Sequence, residues 1–379
     1  MNRSGEYVNN LSGKVKYKSF RPSFLPLNKP IVIDKDIQSK LIKANKELSS
    51  LNAISSYIPN VDLFVSMYIR KEALLSSQIE GTQCTLEDVL DPSDLKNTNL
   101  DVSDVINYID ACLYGIKRLN SLPLCSRFFK ELHQRLMKGV RGQEKTPGEF
   151  RRSQNWIGGK NSTIAEARYI PPNVDDMKEC MKNLEEYING DYEIDPLIKI
   201  AIVHYQFETV HPFLDGNGRV GRLLITLMLI SEGILDKPSL YVSYFLKKNQ
   251  VEYYDRMSEV RKSGNFEQWV SFFLDAINEA AIDASDTIKK LNELHIQNVD
   301  KLPKTNRKKD VNRLLFDYIE KYPIIDIKKT SVDLGLSYNT VASTIDKFVE
   351  FKILKPNTNN KRNRAYIYDK YIKIIKKDI

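Results

Sequence analysis

The sequence predicts a mainly α-helical protein that contains a β-hairpin and ends in a small domain of helices and strands. An apolar helical segment covers residues 198–210, and a second one resumes at residues 223–230 after a glycine-rich loop. The charge also changes along the chain. Residues 301–379 hold 19 Lys and Arg against 9 Asp and Glu, a net charge of +10, which leaves −2 for residues 1–300. The basic part is therefore expected to form a domain of its own.

Five regions follow from these patterns. Residues 301–309 combine Pro303 with lysine, arginine and asparagine, which is typical of an exposed linker. The first 34 residues carry prolines and polar side chains and are expected to be an extended arm. The predicted regions are the N-terminal arm (1–34), N-terminal helices (35–100), a helical core (101–295), a linker (296–309) and the C-terminal domain (310–379).

The composition favours a protein of the cytoplasm. Of its 379 residues 42% are hydrophobic, which is enough for a substantial core. The first 25 residues lack the apolar run of a signal peptide, and the longest apolar stretch, residues 223–230, is too short to span a membrane. The histidines show no zinc-binding spacing. No CxxC motif occurs, and reduced thiols are expected at the four scattered cysteines, Cys84, Cys112, Cys125 and Cys180.

Residues 211–222, His-Pro-Phe-Leu-Asp-Gly-Asn-Gly-Arg-Val-Gly-Arg, carry the most chemistry in the chain. Pro212 fits the end of the preceding helix because proline has no amide for a continuing helix. The next helix is expected to begin at Asn217, where free N–H groups and the helix dipole favour an anion. The sequence therefore predicts a phosphate site at this turn.

The residue types in this loop suit phosphoryl or nucleotidyl transfer. His211 titrates near neutrality and can take a proton from an attacking hydroxyl, and Asp215 is a hard oxygen ligand for Mg²⁺. Glycines at 216 and 218 let the backbone approach phosphate oxygens. Arg219 and Arg222, three apart on one helix, offer planar forks for terminal phosphates. The alternative is a glycine-rich helix connection with a solvated arginine pair.

The string resembles the signature of the Fic family, His-x-Phe-x-Asp/Glu-Gly-Asn-Gly-Arg-x-x-Arg, and matches every fixed position. The resemblance extends over about residues 35–290 and implies a Fic-type helical bundle. The implied reaction transfers AMP from Mg·ATP to a Ser, Thr or Tyr hydroxyl of a protein, the chain itself included, with release of pyrophosphate. The related Doc branch, a phosphotransferase, carries lysine at the position of Gly218, so this chain has the adenylylating form.

The resemblance also assigns roles to residues. His211 would be the general base, Asp215 the metal ligand, Asn217 with the neighbouring amides the cradle of the α- and β-phosphates, and Arg222 the partner of the γ-phosphate. The nucleotide contacts that it implies come from Glu80, Asp215, Gly216, Asn217, Gly218, Arg219, Val220, Gly221, Arg222 and Tyr253.

A second element lies upstream, where residues 70–79 are predicted to form a helix followed by Glu80 and Gly81. Ser76 and Glu80 share a face, and Gly81 stands where a glycine often ends a helix. Glu80 would then lie in the last helical turn, where the helix dipole disfavours a carboxylate unless a cation pairs with it. The pattern resembles the inhibitory helix of one class of Fic proteins. The resemblance implies that Glu80 pairs with Arg222 and excludes the γ-phosphate. Without the family resemblance, a surface glutamate near a helix end is the simpler interpretation.

A third element, residues 155–172, has two β-prone runs around a polar turn and is predicted to form a β-hairpin. In Fic proteins this hairpin is the flap, which positions the backbone of the target by strand addition and covers the nucleotide. The resemblance thus makes the acceptor a hydroxyl-bearing protein docked along the flap. Tyr253-Tyr254 stands where the family often places an aromatic against the base or ribose, although such a pair also suits a helical core.

Residues 310–379 resemble a winged helix-turn-helix domain. Helices are predicted at 310–322, 327–334 and 339–351, with Ser337 as an N-cap, and strands at 353–355 and 365–368. The resemblance implies a third helix in the major groove of DNA and a wing on its backbone. The residues that would face DNA are Thr340, Ser343, Thr344 and Lys347 on the helix and Lys361, Arg362 and Arg364 on the wing. A protein-binding or dimerising module is the alternative.

Two functional hypotheses follow. The first is a protein adenylyltransferase that uses Mg·ATP and is inhibited by its own Glu80. The second is a DNA-binding regulator whose Fic core mainly senses nucleotide or modifies itself. Reversal of the modification with the help of Glu80 stays open, as do DNA and a second copy of the chain as partners. No membrane association is expected.

Overall fold

The computed structural model describes residues 3–12, 15–57, 61–90, 99–139, 145–159, 162–303, 310–357 and 365–377. These residues confirm the mainly helical fold. The helices are α1 (Lys35–Tyr57), α2 (Val61–Ile79), α3 (Leu86–Leu90), α4 (Leu100–Leu119), α5 (Ser126–Leu136), α6 (Val174–Asn189), α7 (Pro196–Val210), α8 (Asn217–Ser231), α9 (Ser243–Lys248), α10 (Gln250–Ser263), α11 (Phe266–Val299), α12 (Val311–Lys321), α13 (Ile327–Leu334), α14 (Tyr338–Glu350) and α15 (Asp369–Lys376). The strands are β1 (Gly5–Ser12), β2 (Val15–Pro22), β3 (Ile324–Asp326), β4 (Lys355–Pro356) and β5 (Ala365–Ile367).

Helices α7 and α8 form the centre of the core. Asp195 caps α7 by accepting the Leu197 amide, and Pro196 follows at the first helical position, where its missing N–H costs nothing. Nearly every side chain of both helices is buried, as expected for helices that are apolar all round. The predicted helices at 198–210 and 223–230 are thus confirmed, and they hold the loop between them in a rigid setting.

The N-terminal segment differs from the extended arm that the sequence suggested. Strands β1 and β2 pair antiparallel from Gly5 opposite Pro22 to Ser12 opposite Val15. Phe20 is buried in the core, and its N–H donates to the carbonyl of Ile170 at 2.9 Å. The hairpin therefore rests against the region predicted as the flap.

The C-terminal elements follow the predicted order closely. Helices α12, α13 and α14 begin and end within one residue of the predicted bounds, and the Ser337 hydroxyl caps α14 by accepting the Thr340 amide at 3.1 Å. Strand β3 and helix α15 were not predicted. The three strands form one antiparallel sheet in the order β3-β5-β4.

The predicted boundary at residue 296 falls inside a helix. Helix α11 continues to Val299, and residues 304–309 lie outside the described residues. The last turns of α11 hold the C-terminal unit: the Nδ1 of His295 lies 2.8 Å from the Glu320 carboxylate, and the Asn298 amide donates to the Tyr368 hydroxyl at 2.7 Å. Because these groups are buried, the C-terminal unit is docked on the helical core.

Of the α14 side chains predicted to face DNA, some are exposed and one is buried. Ser343 and Lys347 are exposed. Thr344 is 5% exposed, and its hydroxyl donates to the Thr340 carbonyl, so it does not face outward. The wing residues Lys361, Arg362 and Arg364 lie outside the described residues. No helix in the described part of the chain is long and apolar enough to cross a membrane.

Candidate active site

The loop between α7 and α8 is fixed by its own backbone and side chains. His211 ends α7 in a left-handed conformation, with φ of 50°, and Gly216 precedes α8 with φ of 74°. The Asn217 side chain closes the loop, since its oxygen accepts the Phe213 amide at 2.8 Å and its nitrogen donates to the Phe213 carbonyl at 2.9 Å. The Asn217 side chain is therefore engaged in holding the loop, while the amides of the first turn of α8 lack acceptors within the helix.

His211 is in the state that a general base requires. Its Nδ1 lies 3.3 Å from the Glu208 carbonyl, which can only accept, so this nitrogen carries the proton and Nε2 keeps a lone pair. Burial, opposed by the bond to Glu208, lowers the pKa of His211 to about 4. The ring is thus neutral at pH 7 and able to accept a proton.

Asp215 is placed as a single carboxylate beside the start of α8. One oxygen accepts the Gly216 amide at 2.6 Å, the other lies 3.4 Å from the Lys145 ammonium, and 38% of the side chain is exposed. Among the described residues no three His, Cys, Asp or Glu side chains form a metal cluster. This donor set does not suit a resident metal. It fits a Mg²⁺ held by one carboxylate and by the phosphates of a nucleotide.

Arg222 is buried and held by the end of α2. Its Nε donates to the Ser76 hydroxyl at 2.8 Å, and its Nη2 donates to the Ser76 carbonyl at 2.9 Å and to the Glu80 carboxylate at 2.7 Å. Burial opposes the charge of Arg222, and Glu80 favours it strongly enough to raise the pKa of the guanidinium. The pairing implied by the sequence is present in the structure.

Glycines make this pairing possible. A Cβ on Gly218 would lie 2.2 Å from the Glu80 carboxylate oxygen and 2.9 Å from Arg222 Nη1. Helix α2 ends at Ile79, and Gly81 follows with φ of 96°. Glu80 therefore lies in the turn just after the helix, and not in the last helical turn as the sequence suggested.

Arg219 has a different role from the one the sequence suggested. Its guanidinium forms an ion pair of 2.7 Å with Asp104 on α4 and contacts the Met137 sulfur at 3.4 Å. Both partners of the ion pair are less than 10% exposed. Arg219 is therefore committed to joining α8 to α4. Val220 is fully buried, and Gly221 packs against Glu208.

A cavity of about 420 Å³ opens between the flap region, the signature loop and α10. It contains Tyr254, whereas Tyr253 is buried with its hydroxyl 2.8 Å from the ring of His204. Tyr254 thus faces the cavity, whereas Tyr253, which the sequence analysis placed among the nucleotide contacts, is turned into the core. The cavity is lined by Glu80, Trp156, Ile157, Gly158, Arg168, Tyr169, Glu208, His211, Gly218, Arg222, Tyr254, Met257, Ser258 and Arg261.

The predicted flap hairpin is reduced in the structure to one antiparallel residue pair. Ile157 and Tyr169 exchange backbone hydrogen bonds of 2.8 and 3.0 Å. Residues 164–166 form a 3₁₀ turn, and residues 160–161 lie outside the described residues. Within the polar turn, Thr163 and Glu166 form a capping box, so this part of the chain satisfies its polar groups locally.

Two residues of the site were missed by sequence reasoning. Glu208 lies one turn before His211 and faces the cavity, and burial raises the pKa of its carboxyl to about 7. His133 on α5 stacks on Phe213 at 3.8 Å, and its Nε2 lies 3.1 Å from the Asp215 carbonyl. Helical spacing from His211 could have indicated Glu208. Nothing near His133 in the sequence signals its contact with a loop 82 residues away.

The chain matches two descriptions of known families. Residues 38–117 match "Fic/DOC family N-terminal", and residues 123–229 match "Fic/DOC family". The chain therefore carries a Fic N-terminal region followed by a Fic domain. The Fic match ends in α8 and so contains the whole signature loop, while the N-terminal match contains Ser76 and Glu80.

Relatives and solved structures agree with the family. "Protein adenylyltransferase Fic" of Drosophila willistoni is 29% identical over 184 residues, which cover 48% of this chain and 32% of that protein. The protein of the same name in Drosophila melanogaster is also 29% identical over 184 residues, covering 48% of this chain and 33% of that protein. The match thus spans about a third of the length of these relatives.

Two crystal structures share the fold. A Fic family protein from Desulfovibrio desulfuricans G20 has a TM-score of 0.56 and 19% identity, covering 90% of this chain and 98% of that chain. A Fic domain containing signaling protein from Bacteroides thetaiotaomicron has a TM-score of 0.50 and 16% identity, covering 68% of this chain and 97% of that chain. Both comparisons support the Fic fold.

Proposed function

We propose that this Fic protein transfers AMP from Mg·ATP to a Ser, Thr or Tyr hydroxyl of a protein and is inhibited by its own Glu80. The observation that carries the proposal is the position of Arg222. Its guanidinium lies in the same cavity as the neutral His211 and is paired with the Glu80 carboxylate. The relatives named protein adenylyltransferase support the reaction class.

In the proposed reaction the acceptor hydroxyl gives its proton to His211 Nε2. Its oxygen attacks the α-phosphorus, a new P–O bond forms, and the bond to the β-phosphate oxygen breaks, so that pyrophosphate leaves with its electron pair. First-turn amides of α8 and Arg222 stabilise the phosphate charge. Asp215 would hold the Mg²⁺ that accompanies ATP and neutralises part of that charge.

The inhibition follows from competition for one guanidinium. Arg222 donates from Nη2 to Glu80 and from Nε to Ser76, so a γ-phosphate can use Arg222 fully only when Glu80 moves away. Glu80 has the means to move, because its side chain is 38% exposed and lies in a turn. The free protein is thus expected to bind ATP weakly in a productive geometry.

Labelled nucleotide tests the reaction. The Glu80→Gly variant incubated with Mg·ATP labelled at the α-phosphate should gain label, ATP labelled at the γ-phosphate should leave none, and the additional change His211→Ala should abolish incorporation. Label transferred only from the γ-phosphate would mean phosphotransfer. No label from either nucleotide, in the parent and in Glu80→Gly, would reject the proposed function.

A further inference from the structure

Arg151 is a fully buried cation next to the signature loop. It is 1% exposed, yet the hydrogen bonds of its guanidinium go to carbonyl oxygens: His211 at 3.0 Å, Ser153 at 3.3 Å and Pro172 at 2.5 Å. Its own amide donates to the Pro212 carbonyl at 2.9 Å. One side chain thus joins the catalytic loop to both ends of the flap.

We infer that Arg151 is a positioning residue that holds His211 in register with the flap, so that the base and the docked acceptor hydroxyl keep a fixed relation. The inference rests on the proposed role of His211 as general base. Arg151 is fixed to the segment that enters the flap at Ser153 and to the segment that leaves it at Pro172. Movement of either end therefore acts on the His211 backbone.

The conformation of His211 explains why such a restraint is needed. His211 is not glycine, so its left-handed backbone is strained and persists only where the surroundings enforce it. Arg151 and Asn155 both donate to the His211 carbonyl, at 3.0 and 3.4 Å, and Asn155 also donates to the Phe213 carbonyl at 2.9 Å. These bonds hold the peptide group that follows His211, which would rotate if the loop relaxed to an unstrained backbone.

Only arginine supplies this set of contacts. Its rigid planar fork reaches carbonyls in three directions at once, whereas the lysine ammonium is a point donor on a flexible stem. Burial lowers the pKa of Arg151 to about 10, so the group is still a cation at neutral pH. The side chain thus brings both a geometry and a charge to His211.

The charge gives a second measurable consequence. Arg151 disfavours protonation of His211, while the carboxylates of Glu80 and Asp215 favour it. The other charged groups that line the cavity around His211 are Glu208, Arg168, Arg222 and Arg261. Removal of the Arg151 charge should therefore raise the pKa of the His211 ring, and replacement by lysine should leave that pKa nearly unchanged.

Two variants separate geometry from charge, in the full chain carrying Glu80→Gly so that activity is measurable. Arg151→Met and Arg151→Lys should both lower kcat for AMP transfer by about 10²-fold with little change in KM for ATP, because the base is misplaced. NMR titration of the His211 ring, assigned with His211→Ala, should show a raised pKa in Arg151→Met only. The neighbouring exposed Arg152→Ala is the matched control and should behave like the parent.

The outcomes decide the inference. It is overturned if Arg151→Lys keeps the kcat of Glu80→Gly, or if Arg152→Ala lowers kcat as much as the Arg151 variants do. It is also overturned if the Arg151 variants raise KM for ATP and leave kcat unchanged. If Arg151→Met fails to fold, Arg151→Lys and Asn155→Ala still test the restraint through kcat. If Glu80→Gly itself transfers no AMP, the proposed function fails, whereas an unchanged pKa of the His211 ring in Arg151→Met would contradict the effect of the Arg151 charge on that ring.

Discussion

The Glu80 carboxylate lies 2.7 Å from Nη2 of Arg222, although 142 residues separate the two in the sequence. The arginine is 1% exposed and the glutamate 38%, so the cation is fixed while its partner borders solvent. Arg222 is therefore the fixed member of the pair, and Glu80 is the member that can move.

Replacing Glu80 should strengthen ATP binding. Glu80→Gly frees Arg222 for the γ-phosphate and removes a like charge, so the affinity for Mg·ATP should rise by about tenfold, a change of about 1.4 kcal/mol. Glu80→Gln keeps the shape without the charge and should give a smaller gain. Isothermal titration calorimetry measures both, with Gln83→Gly at an exposed position three residues further along as a control. Equal affinity in the parent and Glu80→Gly would show that Glu80 does not compete.

Ser76 should contribute a smaller part of the same restraint. Ser76→Ala removes the bond from Arg222 Nε but leaves the one to the Ser76 carbonyl, so AMP transfer should rise by less than in Glu80→Gly. A hydrogen bond to a charged group contributes about 1.5–3 kcal/mol net of exchange with water. Ser77→Ala is the matched control, since the Ser77 hydroxyl is buried and has no partner among the described residues. Identical rates for the two variants would refute a role for Ser76.

The ion pair of Arg219 with Asp104 should support the fold. Asp104→Ala leaves a buried guanidinium without its carboxylate and should lower the free energy of unfolding by about 3–5 kcal/mol. Asp110→Ala on the same helix breaks the half-exposed pair with Arg135 and should cost less than about 1 kcal/mol. Denaturant unfolding compares them. If Asp104→Ala is as stable as the parent but binds ATP more weakly, Arg219 acts at the nucleotide site and its assignment to the fold is wrong.

The pH dependence of AMP transfer should follow the neutral state of His211. Burial lowers its pKa to about 4, so the ring stays neutral and active above about pH 5 and becomes protonated and inactive as the pH falls through 4. Initial rates in Glu80→Gly between pH 4.5 and 8, at about physiological ionic strength, should be flat in the upper part of this range. Glu208 in the same cavity has a pKa of about 7, so the measurement is repeated in Glu80→Gly/Glu208→Gln. A rate that still halves near pH 6.5 in that variant would place the His211 ring in water and contradict the buried geometry.

The sequence predicts those parts of the site that depend on local order. The helix end at Val210, the helix start at Asn217 and the turn after Ile79 each follow from proline, glycine and capping patterns within a few residues. The pairing of Glu80 with Arg222 was reached through resemblance to the family, because no local rule joins residues so far apart.

The errors arise where tertiary contacts decide between similar residues. Arg219 and Arg222 lie on one helix, and only the position of Asp104 on α4 directs the first into the core. Tyr253 and Tyr254 are adjacent, and the ring of His204 takes the hydroxyl of the former. The linker was predicted to begin at residue 296, while α11 continues to Val299 and His295 and Asn298 make buried contacts with the C-terminal unit.

Intact mass spectrometry tests the central claim most directly. The parent, Glu80→Gly and the double variant Glu80→Gly/His211→Ala are each incubated with Mg·ATP and weighed. The account predicts that Glu80→Gly gains the mass of AMP on itself or on a supplied acceptor protein, that the parent gains little, and that the double variant gains none. Equal AMP incorporation by the parent and Glu80→Gly would contradict inhibition of Arg222 by Glu80.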